Sequence, residues 1–325
     1  MKGALFLAIG LVGQVSVAGL SEQALQRTLD ELRARNQRAE KKIALLEQKL
    51  EDLAVSNIQM PSICNGRLTL TSGTPITISD TTSSTLYFTP YRGNRVTLYD
   101  GTRWSMHSFS EISLSLTITS GKNYDVFVYS NSGTLTLELS AAWAGDTSRT
   151  DALTTLNGVY VKSADNTRRY LGTIRASASN TVADSRATRL LWNAYNRVSK
   201  LVYITHSTGS WSYTTAIFRP SNNDTTKFVG VVTGLAEQTF YTKIAQLIST
   251  GGAAFFIGVC PNCTASTGAG YGYIANAASQ MVQAHFYEMP AAGYNYYQWT
   301  ELGNAGTITV YGNADQSTMM GVVEC

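Results

Sequence analysis

Residues 22–53 carry an unbroken heptad seam on a chain otherwise rich in β-forming residues. Leu25, Leu29, Leu32, Asn36, Ala39, Ile43, Leu46, Leu50 and Leu53 follow one another at alternating spacings of four and three. Leu29, Asn36, Ile43 and Leu50 therefore fall at a positions and the others at d. A 3.5-residue period on a helix makes an apolar stripe that a partner helix covers, so the seam predicts a coiled coil. The charges beside it set direction: Arg35 at g meets Glu40 at e of the neighbouring chain, and Lys42 meets Glu47, only when the helices run parallel and in register. Lys42-Ile43-Ala44-Leu45-Leu46-Glu47 has the basic-apolar-x-x-apolar-Glu form that favours three strands. Asn36 at an a position fixes register at some cost in stability.

Fourteen of the charged residues lie between Glu22 and Asp52, seven of each sign, and the rest of the chain is poor in charge. Thr, Ser, Gly, Tyr and Asn dominate there, which suits short strands and tight turns. With a net charge of +3 over 325 residues and no separate basic block, nothing suggests a nucleic-acid partner.

Residues 1–20 resemble an export signal: Lys2 precedes an apolar run from Ala4 to Val12, and Ser16-Val17-Ala18 offers a cleavage site. We expect the segment to be retained. Ala4, Ala8, Leu11, Val15 and Ala18 continue the heptad phase backward, so it reads as an apolar anchor seated in a protein socket or in a membrane.

Four cysteines remain: Cys64, Cys260, Cys263 and Cys325. Cys260-Pro261-Asn262-Cys263 has C-x-x-C spacing, but a zinc ribbon needs two such pairs. The expected roles are a structural disulfide within the pair or to Cys325, or an interchain clasp near Cys64. His107, His206 and His285 are too scattered for a metal site, and neither metal nor cofactor is expected.

From residue 67 onward the pattern becomes period two with turn punctuation. Runs at 67–71, 75–79, 86–89, 95–99, 112–118, 124–129 and 134–139 read as strands, with Asp100-Gly101 a tight hairpin turn. Residues 184–197 read as a short helix or a strand pair at the seam between two halves. Later strands are expected within 200–218, across Thr208-Gly209, and at 227–233, 238–247, 253–260, 280–287, 296–301, 307–312 and 318–324. The predicted architecture is mainly β: an anchor (1–20), a parallel trimeric coiled-coil stalk (21–55), a first antiparallel β domain (56–198) and a C-terminal β-sandwich or jelly-roll-like head (199–325).

Several strings in the first β domain are familiar. Leu68-Thr69-Leu70-Thr71-Ser72-Gly73-Thr74-Pro75, Tyr91-Arg92-Gly93-Asn94-Arg95, Leu98-Tyr99-Asp100-Gly101, Tyr124-Asp125-Val126-Phe127 and Trp192-Asn193-Ala194-Tyr195-Asn196-Arg197-Val198 resemble a module recurring in virion proteins of tailed bacteriophages. The resemblance covers residues 67–198 and implies a fibre, spike or other appendage on the virion surface. It implies other virion proteins as partners of the N-terminal segment and a host-surface glycan or protein as the far partner. Two alternatives stand beside it: an exported trimeric lectin-like adhesin on a bacterial surface, and a structural collar or decoration trimer with no receptor.

No nucleophile elbow, P-loop or H-E-x-x-H is present, and the head's few carboxylates show no pairing, so an enzyme is not expected. Aromatics are the stronger lead. Tyr271, Tyr273, His285, Tyr294, Asn295, Tyr296, Tyr297, Gln298 and Trp299 crowd a short span, offering ring faces and planar polar groups of the kind that bind sugars. With 293–299 read as a loop, these residues form the expected receptor site. The competing expectation is that the same rings fill the core or the trimer interface.

Overall fold

The computed structural model describes residues 21–58, 60–265, 270–275 and 278–325, with side chains for all of these except 52–58. The segment 1–20, expected to be an anchor, and the side chain of Leu53 lie outside the described residues. The chain divides between Asn57 and Ile58 into two units.

The first unit is built on one helix, Glu22–Ile58. Ser21 caps it, its hydroxyl accepting the Ala24 N–H at 3.4 Å, and Glu22 places a negative charge at the positive end of the helix dipole. Its 37 residues span about 55 Å at the α-helical rise. The seam is bare within the single chain: Leu25, Leu29, Leu32, Ile43, Leu46 and Leu50 are between 43% and 70% exposed. The helix runs beyond the expected end at 55, the heptad phase being lost before the helix is.

The second unit is mainly β, with five sheets among the described residues. Gly66–Thr69, Thr85–Pro90 and Ile112–Ser115 form one, and the hairpin Arg95–Tyr99 with Trp104–Ser108 another. A third is centred on Asn123–Asn131 and Asp165–Arg175. The fourth runs Thr81–Ser83, Val182–Asp184, Thr188–Arg189, Phe228–Thr233, Gly293–Asn304, Ala254–Pro261, Tyr271–Ala275, with Arg219–Pro220 also on Gly293–Asn304. The fifth runs Ser199–Thr205, Ser317–Glu324, Phe240–Gly251, Thr307–Tyr311, Ser210–Trp211, with Gln280–Glu288 also on Phe240–Gly251. Pairing is antiparallel except between Thr188–Arg189 and Phe228–Thr233.

Two large cores fill this unit, beside a small third cluster of Trp104, Val159 and Val161. Leu68, Phe88, Val96, Val126, Val128, Leu171 and Leu191 belong to the first. Val202, Val231, Phe240, Ile244, Phe255, Tyr297, Trp299 and Met319 belong to the second, where the fourth and fifth sheets contribute to one interior. The third sheet is the wall between them. Successive side chains point to opposite faces of a strand, so Val126 and Val128 enter the first core while Phe127 enters the second, and Leu191 and Trp192 divide likewise. A strand buried on both faces reads as an unbroken apolar run. Asp125 interrupts that run and is stabilised by Arg149 at 2.8 Å and the Thr173 hydroxyl at 2.7 Å. Burial nevertheless raises its carboxyl pKa, against the opposing pull of Arg149.

Position 198, the expected boundary, marks no break in either the sheets or the cores: the fourth sheet takes strands from both sides of it, and Phe127, Tyr170 and Trp192 from before it enter the second core. Three local expectations also change. Residues 75–79 form no strand: Arg67 Nε donates to Pro75 O at 3.0 Å, and Ile76 and Ile78 point to solvent. The strands on either side of Thr208-Gly209 do not pair with each other; Ser210–Trp211 joins Thr307–Tyr311. Residues 184–197 hold the short strands Thr188–Arg189 and Leu191–Asn193 rather than a helix.

Candidate adhesion surface

The stretch expected to be a receptor loop is a central strand. Gly293–Asn304 is paired on one side with Phe228–Thr233 and on the other with Ala254–Pro261, so its backbone is committed along both edges. Asn295, Tyr297, Gln298 and Trp299 are buried. Tyr297 stacks on Phe240 with centroids 4.3 Å apart and donates its hydroxyl to Glu288 at 2.6 Å. Gln298 Nε2 donates to Lys227 O at 2.9 Å, and Asn295 Nδ2 to Ala291 O at 2.8 Å. Trp299 meets the His206 ring at 4.8 Å. These four lie inside the fold rather than on a receptor-facing loop. Tyr294 and Tyr296 are half-buried, with the Arg175 guanidinium 3.9 Å from the Tyr294 ring centre and Phe228 edge-on to Tyr296.

Tyr271 and Tyr273 are 65% and 62% exposed on the edge strand Tyr271–Ala275. Phe256 lies against both, 5.5 Å from Tyr273 and 6.2 Å from Tyr271. His285 is exposed on Gln280–Glu288, the edge strand of the other sheet. The two edges approach closely at Gly272, where a Cβ would sit 2.1 Å from Gln283 O, so only glycine fits.

A second pair of rings, one exposed and one half-buried, lies outside the expected receptor residues. Tyr241 and Tyr287 stack at 4.6 Å, and Tyr241 hydrogen-bonds His285 Nδ1 at 3.0 Å. Partial burial, then the neighbouring Tyr287, raises the Tyr241 phenol pKa, keeping it a neutral donor. Cross-strand register extends this pair into a row. Tyr287 is opposite Tyr241, Tyr241 opposite Val322, and Val322 opposite Leu201. Val202, Phe240, Phe286 and Val323 point the other way into the core, so the row occupies the outer face. Three inter-strand spacings give it a length of about 14 Å. Tyr203, Met320, Lys243 and His285 make a second row beside it. The available signal was the unbroken apolar run, Leu201-Val202-Tyr203-Ile204 and Val322-Val323, which puts apolar side chains on both faces of a strand.

Glu301, Glu138 and Glu237 are tied up structurally. Glu301 accepts from Trp211 Nε1 at 2.8 Å, Arg219 Nε at 2.9 Å and Asn222 N at 3.0 Å, and burial still raises its pKa. Glu138 is held by Lys162 and Arg168, and Glu237 by Arg197. Among the described residues no group of three His, Cys, Asp or Glu side chains is placed to hold a metal ion. Cys260 and Cys263 form a disulfide. Cys64 and Cys325 are buried free thiols within the single chain, and Cys260 is paired with Cys263 rather than with Cys325. Burial pushes the Cys325 thiol up to about 11 and raises that of Cys64, leaving both unreactive as nucleophiles. No described helix is long and apolar enough to cross a membrane.

No family model and no curated protein matches the chain. Among solved structures it is similar to the insecticidal delta-endotoxin Cry8Ea1 from Bacillus thuringiensis, at 6% identity and a TM-score of 0.20, over 80% of this chain and 52% of that one. It is also similar to the mosquito-larvicidal Cry4Aa toxin from Bacillus thuringiensis, at 9% identity and a TM-score of 0.21, over 74% of this chain and 49% of that one. The chain thus spans about half the length of these toxins, and a likeness this slight carries no conclusion about activity.

Proposed function

We propose that the protein is a trimeric virion appendage of a tailed bacteriophage, a fibre or spike that attaches to the host surface through its β unit. The observation that carries this reading is the bare heptad seam on Glu22–Ile58, an apolar stripe that three parallel copies cover mutually. The β unit, a sandwich-like head, bears the row Leu201, Val322, Tyr241 and Tyr287, with Tyr271, Tyr273 and His285 on neighbouring edge strands. Exposed rings beside planar polar groups suit the apolar faces and hydroxyls of sugars. Three weak sites on one stalk gain avidity through effective concentration, commonly by two to four orders of magnitude. Residues 1–20 dock the trimer to other virion proteins.

The test compares the full chain with a Leu32→Asp/Ile43→Asp variant on a panel of bacterial cells. The trimer is expected to adhere and the variant, as a folded monomer, to lose adhesion at least a hundredfold. Equal adhesion by the two, or none by the full chain, contradicts the proposal. Deleting residues 1–20 is expected to leave adhesion intact and abolish incorporation into particles.

A further inference from the structure

The apolar row ends, at Leu201, on a cleft of about 200 Å3 lined by Ile76, Thr77, Ile78, Arg186, Arg189, Ser199, Lys200 and Leu201. We propose that this cleft binds the oxyanion of an acidic sugar, a carboxylate or phosphate, whose glycan continues along the row toward Tyr287. The inference rests on the adhesion reading and specifies its ligand.

Charge is the first observation. Asp184 is the one carboxylate between two cations, its Oδ1 accepting from Arg189 Nη1 at 3.1 Å and its Oδ2 from Lys200 Nζ. All three side chains are more than nine-tenths buried, so the cluster holds an excess positive charge away from water. A buried unbalanced cation is costly unless an anion completes it. Arg186 adds a further cation at the mouth. Asp80 accepts the Arg186 backbone N–H at 2.8 Å, but the guanidinium itself makes no ion pair or hydrogen bond among the described residues. A free guanidinium offers the planar fork that takes a carboxylate or phosphate in two parallel hydrogen bonds.

The second observation is an orphan. Thr77 is among the lining residues, and its Oγ1 is buried with no hydrogen-bond partner among the described residues. A hydroxyl in that state costs stability unless a ligand or solvent atom meets it. The wall is also held open by construction: Arg67 Nε fixes Pro75 O, and Ile76 and Ile78 stand exposed beside the cleft instead of joining a sheet. An oxyanion seated here meets Arg186 and the unused N–H groups of Lys200 and Arg189, accepts from Thr77, and leaves its sugar ring against Ile78 and Leu201. At about 14 Å, the row beyond is long enough for roughly three more sugar units.

The experiment measures binding of the full chain to immobilised 3′-sialyllactose, an oligogalacturonate and mannose 6-phosphate, each beside its carboxyl-reduced or dephosphorylated counterpart. At least one acidic probe is expected to bind ten times more tightly than its neutral counterpart, and the preference to shrink with added salt. Arg186→Gln is expected to remove the preference without changing the melting temperature, Arg186→Lys to retain part of it, and Thr77→Val to reduce it several-fold. Equal binding of acidic and neutral probes, or a preference that survives Arg186→Gln, overturns the cleft while leaving neutral adhesion along the row intact. Adhesion to cells with no glycan bound at all also overturns the cleft assignment. Failure to bind either cells or glycans overturns the adhesion reading with it.

Discussion

Trp299 and Tyr287 differ by one test. Trp299 is 0% exposed in a strand paired along both edges, and its indole packs on His206, itself 4.7 Å from Trp211. Truncating a buried Trp to Ala costs about 3–5 kcal/mol in lost transfer energy and residual cavity. An offset applies: Trp299 Nε1 finds no acceptor among the described residues, so its removal also relieves an unpaired donor, worth about 1 kcal/mol. The net cost is about 2–4 kcal/mol, and at about 2–4 °C per kcal/mol the melting temperature should fall by about 4–16 °C. Tyr287 is 64% exposed and touches chiefly Tyr241. Tyr287→Ala should cost about 0.5–1.5 kcal/mol, the worth of the aromatic pair. It should nevertheless weaken adhesion about tenfold, or 1.4 kcal/mol. Scanning calorimetry and cell adhesion per folded molecule read both variants. A Trp299→Ala protein that melts normally and no longer adheres would refute the burial of this strand as the reason for excluding it from the surface.

Further outcomes follow from other features. Burial lowers the His206 pKa from 6.5 to about 4, so its neutral form stabilises the fold above pH 6.5 and that contribution is lost as pH falls toward 4. The loss is at most about 3 kcal/mol, and denaturant unfolding of His206→Gln should show a flatter profile over this range. Glu301, raised by burial, slopes the other way and is common to both proteins. Cys263→Ser, which opens the Cys260–Cys263 bridge, should cost about 2 kcal/mol by loop-closure entropy, whereas a chelator should leave melting unchanged; stoichiometric zinc in the purified protein would contradict this. Asn36→Ile should stabilise the helix bundle by about 1 kcal/mol or more per chain while loosening its register, read by melting and by disulfide trapping across the seam.

What the sequence disclosed and what it hid follow from how each signal arises. The Asp100-Gly101 hairpin turn was legible because it needs left-handed backbone, Gly101 standing at φ 99°. The seam was legible because nine positions repeat one period. The receptor loop was misplaced because aromatic density says nothing about edges; only the pairing partners reveal that Gly293–Asn304 is central while Tyr271–Ala275 has a free side. The alternating stretch at 75–79 mimics a strand, yet its isoleucines face outward because Arg67 takes the Pro75 carbonyl. Likewise the wall shared by two cores depends on Val126 and Phe127 facing different neighbours, which local pattern cannot express.

The central claim is that three copies of this chain assemble through the seam of Glu22–Ile58. Sedimentation equilibrium of the full chain near neutral pH tests it most directly. A single species of about three times the 35.2 kDa chain mass is predicted, falling to the mass of one chain in Leu32→Asp/Ile43→Asp. A monomer or dimer of the unaltered chain, or a trimer that survives those two charges, would contradict it.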